Sequence, residues 1–234
     1  MGAAVSRQTQ GALLMILGAV LLTISAFSTT YVNYVKPGFR PLLVGAGAVL
    51  VGLGLLSVVQ GWLGRPGAHG HGPRVAWLLA APVFAIVMIA PPALGSYAAQ
   101  QAPPPAPPAL VDAQPVRPLK SDRVNVLSLA EFADRAWYEP IRSLAGKTVR
   151  LTGFVLPSPT KAEWYIARMR ISCCAADALT MKVIIRGAPA PATDTWVRVT
   201  GTWIPREGRP SDTYVPAMTA SDVHPISPPV EPYE

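Results

Sequence analysis

Residues 164–178 read WYIARMRISCCAADA and include the only two cysteines of the chain, which stand side by side. Successive side chains of a strand point to opposite faces, so the parity of the residue number separates the two faces. In a strand that starts at the tryptophan, apolar residues share one face with Cys173, whereas Arg168 and Arg170 share the other with Cys174. The alternation predicts a strand that runs through the pair, with Cys173 buried and Cys174 on a basic face.

The surrounding sequence predicts a small domain over residues 124–225. A short strand at 124–127 leads to a helix that Ser128 caps, with Glu131 three residues later in a capping box. Further strands are expected at 147–156, 164–173, 181–186, 196–204 and 214–223. Five strands and one helix in about 100 residues favour a small all-β or α+β domain, an OB-like barrel.

Two of these strands carry nearly the same sequence. Residues 149–153 read VRLTG, and residues 197–201 read VRVTG. A glycine inside a strand permits a bulge or a sharp coil, which small closed barrels require. We therefore expect the strands to bend at Gly153 and Gly201.

The two halves of the chain differ in charge. Residues 1–116 hold five lysine or arginine residues and one acidic residue, whereas residues 117–234 hold fifteen basic and twelve acidic residues. The excess of basic residues in each half is small, so a nucleic-acid partner is not expected.

The N-terminal half contains three apolar runs without a charged residue. They cover about residues 11–28, 42–63 and 75–94. Each is close to the ~20 residues that a helix needs to cross a lipid bilayer, so we predict a multi-pass membrane domain of three transmembrane helices over residues 1–94. Gly45, Gly52 and their neighbours in the second run are expected to leave a smooth face for helix packing.

Basic residues near the spans predict the orientation. With the N-terminus inside, Arg7, Arg65 and Arg74 lie on the cytoplasmic side of the cell membrane, and Lys36 and Arg40 lie outside. The excess of one basic residue favours this orientation, which makes the C-terminal domain extracytoplasmic.

Residues 95–123 read as a linker that joins the membrane domain to the C-terminal domain. Five prolines fall between residues 103 and 108, and they favour an extended, semi-rigid spacer. Residues 226–234 read as a tail that follows the last strand.

The loop between the second and third spans carries His69 and His71. A His-x-His pair can hold a transition metal ion, although two nitrogens without further ligands bind weakly. The alternative is a solvated turn that contains histidine by chance.

The sequence Arg-x-Arg-Ile-Ser-Cys-Cys-Ala-Ala-Asp-Ala at 168–178, which follows three apolar runs and a linker, resembles a bacterial family of uncharacterised membrane proteins described as permease subunits. The C-terminal domain of that family is of unknown function and carries a Cys-Cys-Ala-Ala-Asp signature. The resemblance implies a partnership with a larger polytopic permease subunit and, in some members, a link to zinc homeostasis.

Three readings of Cys173, Cys174 and Asp177 follow. Thiolates prefer Zn²⁺ or Cu⁺, and Asp177 can supply an oxygen ligand, so the three residues form a candidate zinc site that a partner completes. Alternatively, the basic neighbours favour a reactive Cys174 thiolate in a membrane-anchored thiol-redox protein. The third reading is a purely structural interaction domain with one buried cysteine.

Arg168 and Arg170 are candidate binding residues for a ligand or an acidic partner surface, because guanidinium groups pair with carboxylates and phosphates; the alternative is a solvated strand face. The chain has no Ser-His-Asp arrangement that can be placed, no His-Glu-x-x-His motif and no phosphate-binding glycine loop. We therefore expect an accessory subunit of a membrane permease that is not an enzyme.

Overall fold

The computed structural model describes residues 7–63, 89, 91–102, 117–138, 143–160, 162–205 and 214–234. The chain divides into two compact units, residues 1–93 and residues 94–234. Each unit is described by itself below.

The first unit is built on two helices, α1 (Arg7–Ala26) and α2 (Arg40–Trp62), joined by the short 3₁₀ turns Thr30–Asn33 and Pro37–Phe39. The segment Pro37–Trp62, with a mean hydropathy of 2.5, is the one helix among the described residues that is long and apolar enough to cross a membrane. Gln10–Ala26 is apolar but shorter. The predicted span at 75–94 lies almost wholly outside the described residues, as do His69 and His71.

Glycines let α1 and α2 approach closely. A Cβ added at Gly18 would lie 2.8 Å from the carbonyl oxygen of Gly47, and one added at Gly11 would lie 2.8 Å from that of Gly54. Among the described residues, which leave out most of the third predicted span, a Cβ at Gly45 or at Gly52 would meet nothing within 4 Å. Helix α1 therefore lies against Gly47 and Gly54, the neighbouring glycines of the second run.

The second unit contains two helices and six strands. The helices are α3 (Ser96–Gln101) and α4 (Leu129–Tyr138). The strands are β1 (Asn125–Val126), β2 (Thr148–Pro157), β3 (Trp164–Arg170), β4 (Leu179–Arg186), β5 (Trp196–Ile204) and β6 (Ala217–Pro225). The prediction of a β-rich C-terminal domain with one capped helix before the main strands is confirmed.

The strands form one mixed sheet in the order β1-β2-β3-β4-β6-β5, with an additional pairing between β2 and β5. The pairings β1–β2 and β4–β6 are parallel, and the others are antiparallel. The two copies of the repeated sequence pair with each other across β2 and β5, with Leu151 opposite Val199 at the centre of the repeat. The repeat therefore marks two strands that are neighbours in space.

Gly153 and Gly201 lie where main chains approach closely. A Cβ at Gly153 would collide with the carbonyl oxygen of Ala167, and one at Gly201 with that of Thr219. The β5–β6 register shifts between Thr200 and Gly201, which marks a bulge or irregularity there. The expectation of a bend at Gly201 is confirmed.

Helix α4 closes the core of the unit. Its residues Leu129 and Phe132 are fully buried in one cluster with apolar side chains of β2 to β6. The main-chain N–H of Glu131 donates to Oγ of Ser128 at 2.9 Å, so the predicted cap is present. The Glu131 carboxylate accepts from Arg135 at 2.8 Å, and this pairing takes the place of the return bond of a full capping box.

Helix α3 falls within the stretch that the sequence suggested as a linker, yet it is part of the second unit. The main-chain N–H of Ser96 donates to Oδ1 of Asp194 at 2.7 Å, and Ser96 Oγ donates to Oδ2 at 2.6 Å. Residues 94–102 are thus fastened to the loop before β5. Most of the proline-rich stretch, 103–116, lies outside the described residues.

Candidate functional site

The two cysteines lie on a loop that one carboxylate closes. Strand β3 ends at Arg170, and a 3₁₀ turn covers Ala175–Asp177. Asp177 accepts hydrogen bonds from the main-chain N–H groups of Ser172 (Oδ1, 2.8 Å) and Cys173 (Oδ2, 2.7 Å). Its own main-chain N–H donates to the carbonyl oxygen of Cys174 at 3.1 Å. These bonds fold residues 172–177 into a tight turn, here called the thiol loop.

Cys173 is exposed and Cys174 is half-buried. The parity prediction, with Cys173 buried, is therefore wrong. It assumed that the strand continues to Cys173, whereas the strand ends three residues earlier and its alternation does not reach the pair. The parity prediction also took the face of Arg168 and Arg170 to be solvent-exposed along the whole strand, but Trp164 and Ile166 on that face belong to the hydrophobic core.

The three candidate ligands converge. The Sγ atoms of Cys173 and Cys174 lie 3.5 Å apart. Together with a carboxylate oxygen of Asp177, they all lie within 4.8 Å of one another. The sequence predicted this trio, and the turn at Ala175–Asp177 is what brings Asp177 back to the two thiols.

The thiol loop shifts the pKa values of two of its residues in opposite directions. The hydrogen bond from the Cys173 side chain, followed by the N–H groups of Ser172 and Cys173, lowers the pKa of Asp177 to about 2. The same hydrogen bond to Asp177, followed by that to Cys174, raises the pKa of Cys173 to about 12. At neutral pH Asp177 is therefore ionised, and Cys173 carries a proton that it shares with the carboxylate.

The spacing of the sulfur atoms fits a tetrahedral metal ion. Two thiolates that each lie about 2.3 Å from Zn²⁺ are about 3.8 Å apart in tetrahedral geometry. The observed separation is 3.5 Å. Asp177 accepts main-chain hydrogen bonds from Ser172 and Cys173, and the lone pair that now faces the Cys173 thiol is the one that a metal would take when the thiol proton leaves. A closed structural site has four ligands, so the trio leaves one position open.

His224 stands apart from this site. It lies at the end of β6, where its Nε2 is 3.6 Å from Asp222, and both side chains are largely exposed. The structure therefore does not bring it to the thiol loop.

Arg168 is turned into the domain, and Arg170 is exposed at the end of β3. The guanidinium of Arg168 donates to the carbonyl oxygens of Glu231 (2.6 Å), Pro232 (3.2 Å) and Tyr233 (3.3 Å). It lies 5.7 Å from the centroid of the Trp196 ring, and burial lowers its pKa. Most of its donors are thus engaged inside the chain, and of the two predicted binding residues Arg170 is the accessible one.

Glu234 is a residue of the site region that the sequence did not reveal. Its carboxylate accepts the main-chain N–H groups of Leu129 (2.8 Å) and Ala130 (3.0 Å) at the start of α4. Its main-chain N–H donates to Met169 at 2.8 Å, and its carbonyl oxygen accepts from Ile171 at 3.1 Å. These contacts join distant parts of the sequence. The only local signal for them is the start of a helix at Leu129, whose first main-chain N–H groups need an acceptor.

One family model matches the chain, and it is described as the DUF1980 C-terminal domain. The match covers residues 131–234, which include most of α4, strands β2 to β6 and the thiol loop. No curated protein matches the chain. The resemblance to a family with an uncharacterised C-terminal domain is thus supported for this part of the chain, and the permease partner and the role of the cysteine signature stay predictions.

Proposed function

We propose that the C-terminal unit binds a thiophilic metal ion, with Zn²⁺ as the first candidate, through Cys173, Cys174 and Asp177. The observation that carries this proposal is the convergence of two sulfur atoms and a carboxylate oxygen within 4.8 Å on one loop. Soft thiolates select Zn²⁺ or Cu⁺ over hard cations, and the carboxylate is compatible with Zn²⁺.

The open fourth ligand position suits transfer of a metal ion better than its storage. Cys173 is exposed, so a fourth ligand from a partner protein or from solvent can reach the ion. An ion held by three ligands of one loop exchanges more readily than one enclosed by four. We therefore propose that the thiol loop receives or delivers metal.

Membrane attachment gives this role its context. The helix Pro37–Trp62 is long and apolar enough to cross a membrane. We propose that the chain is a multi-pass accessory subunit of a polytopic permease, with the C-terminal unit on the extracytoplasmic side. His69 and His71 belong to the loop between the second and third predicted spans, on the cytoplasmic side in this orientation, where the pair would be a separate and weaker metal contact.

An OB-like module is the architecture that we infer for the C-terminal unit. Strand β2 pairs with β3 and also with β5, so the pairings β2–β3–β4–β6–β5 return to their start. The pairing of β4 with β6 is parallel, within an otherwise antiparallel ring. This order of pairings supports our proposal of a five-stranded Greek-key barrel of the OB type, a fold that commonly binds ligands through its loops.

Thiol redox chemistry is the alternative function, and the spacing of the two residues favours metal binding over a disulfide. Adjacent residues joined by a trans peptide have Cα atoms about 3.8 Å apart, below the roughly 4.4 Å at which disulfides usually begin. A disulfide between the two cysteines would therefore be strained.

Zinc stoichiometry of the full chain in detergent tests the metal site. We expect one zinc ion per chain in the wild type and none in the double variant Cys173→Ser/Cys174→Ser. The matched control is His69→Ala/His71→Ala, which removes two candidate ligands elsewhere and should keep the zinc. Wild-type protein without zinc, or zinc lost only from the histidine variant, would refute the site.

Co-purification tests the permease partnership separately. Tagged chain extracted from its native membrane in a mild detergent should retain a polytopic membrane protein. A chain that elutes alone under these conditions counts against an accessory subunit, whatever the zinc content.

A further inference from the structure

Residues 231–234, here called the strap, run beside β3 and are held by a largely buried arginine. The Arg168 side chain is 17% exposed and donates to three successive carbonyl oxygens of the strap. Pro232 and Tyr233 of the strap are buried. A guanidinium that leaves water is stabilised only when several acceptors surround it, so the arginine and the strap depend on each other.

The last residue of the strap reaches two elements. Its main chain pairs with β3, through Glu234 N–H to Met169 O at 2.8 Å and Ile171 N–H to Glu234 O at 3.1 Å. Its carboxylate, 8% exposed as a side chain, accepts the first main-chain N–H groups of α4. A carboxylate at a helix N-terminus both satisfies unpaired donors and complements the helix dipole.

The strap is hydrogen-bonded to the residue that directly precedes the thiol loop. This residue is Ile171, and its main-chain N–H donates to the carbonyl oxygen of Glu234. The next two main-chain N–H groups, of Ser172 and Cys173, are bonded to Asp177. Three consecutive N–H groups are thus fixed, the first by the strap and the others from within the loop.

From this arrangement we infer that Arg168 and Glu234 are positioning residues of the thiol loop, acting through the strap to hold the cysteine pair in its metal-binding geometry. The inference rests on the proposed metal site and adds the elements that order it. Neither residue contacts the thiols. Partners that orient ligands without binding the metal commonly change metal affinity about 10- to 100-fold when they are removed.

Arg168→Met is the informative variant, and Arg198→Met is its control. Both remove one positive charge from a strand of the sheet, but Arg198 is exposed on β5 and has no hydrogen bond or ion pair to the strap among the described residues. Cd²⁺ is the probe, because its sulfur-to-metal charge-transfer absorption reports thiolate ligands and ignores any ion on His69 and His71. The full chain is titrated in detergent below the unfolding temperature of each variant.

Arg168→Met is expected to weaken Cd²⁺ binding about 10-fold or more and to reduce the charge-transfer absorption per bound ion. Arg198→Met should lie within about threefold of the wild type, and Arg168→Lys, which keeps the charge and a shorter donor, should recover part of the loss. A residue that serves stability alone would lower the unfolding temperature and leave the absorption per ion unchanged.

Glu234→Gln decides the question if Arg168→Met does not fold, because an amide can still accept one of the two N–H groups of α4. It should weaken Cd²⁺ binding several-fold. Equal affinity and absorption in the wild type and in the strap variants would overturn the positioning role while the metal site stands. A wild-type chain that gives no thiolate absorption would overturn the metal site and the positioning role together.

Discussion

The carboxylate of Asp177 accepts a hydrogen bond from the main-chain N–H of Cys173 at 2.7 Å, and it also accepts the thiol proton of the same residue. One residue therefore orders the loop and keeps one of its two thiols protonated. Metal binding must displace that proton, so metal affinity should rise with pH.

Replacing Asp177 with Asn should make Cys173 more reactive. The carboxylate is the main cause of the raised pKa of this thiol, about 12 against an ordinary value of 9.0. An amide lacks the charge, so the pKa of Cys173 should fall and its thiolate fraction should rise. We expect at least a roughly tenfold faster alkylation at pH 8, measured as a pH–rate profile in a Cys174→Ser background.

The control for this profile is Asp222→Asn, which removes an exposed carboxylate far along the chain, beside His224. Its profile for Cys173 should match that of the parent. A midpoint that stays near its high value in Asp177→Asn would show that the carboxylate does not hold the thiol proton.

A methyl group at Gly201 should destabilise the C-terminal unit strongly. The added Cβ would collide with the carbonyl oxygen of Thr219 across the β5–β6 pairing, and main chain cannot move aside as a flexible side chain can. We expect Gly201→Ala to cost about 2–3 kcal/mol of unfolding free energy in urea melts.

Gly146→Ala is the matched comparison for this cost. Gly146 has a φ of +67°, and a Cβ there would meet nothing within 4 Å. The only cost is the left-handed backbone, which is about 1 kcal/mol. If the two alanine variants were equally destabilised, the close approach at Gly201 would not be a packing constraint.

Asp194→Asn should loosen the attachment of α3. Asp194 has a φ of +66°, and asparagine tolerates that conformation, so the change removes the charge without new backbone strain. The amide oxygen of asparagine can still accept one hydrogen bond from Ser96. The amide nitrogen cannot accept the other, so one of the two bonds from the N–H and the hydroxyl of Ser96 is lost. We expect a loss of about 1 kcal/mol and faster proteolysis within residues 94–102, whereas Asp222→Asn should change neither.

Local patterns account for the parts of the fold that the sequence predicted. Strand β5 was expected at 196–204 and occupies Trp196–Ile204, because its apolar alternation and its bordering turns are all local. The cap at Ser128 and the bend at Gly201 are local signals in the same sense. The three candidate ligands of the thiol loop also lie within five residues, so they could be identified from the sequence.

Long-range contacts account for what the sequence did not reveal. Strand β3 ends at Arg170 because the N–H of Ile171 pairs with Glu234 and no longer with β4, whose pairing starts at Leu179. Arg168 is buried because three carbonyl oxygens of the strap surround it. Glu234 and the rest of the strap are far from β3 in the sequence, so the alternation of residues could not reveal where β3 ends. The parity prediction therefore placed Cys173 on the wrong face.

Asp134 on α4 offers a test of stability against pH. Burial raises its pKa above the ordinary 3.8, and the positive charge of Arg170 partly opposes this shift. Among the described residues, its buried Oδ1 has no hydrogen-bond partner. A raised pKa means that the folded state binds the proton more tightly than the unfolded chain, so this residue lowers stability as the pH rises through its folded pKa.

Asp134→Ala should therefore stabilise the second unit at pH 7 and lose that advantage near pH 3, where the carboxyl is protonated in both states. Half of the side chain is solvated, so the gain is about 1 kcal/mol or less. Urea melts at the two pH values measure it, with the exposed Asp222→Ala as the control for losing an acid. A variant less stable than the wild type at pH 7 would mean that the ionised carboxylate gains more from Arg170 than burial costs it.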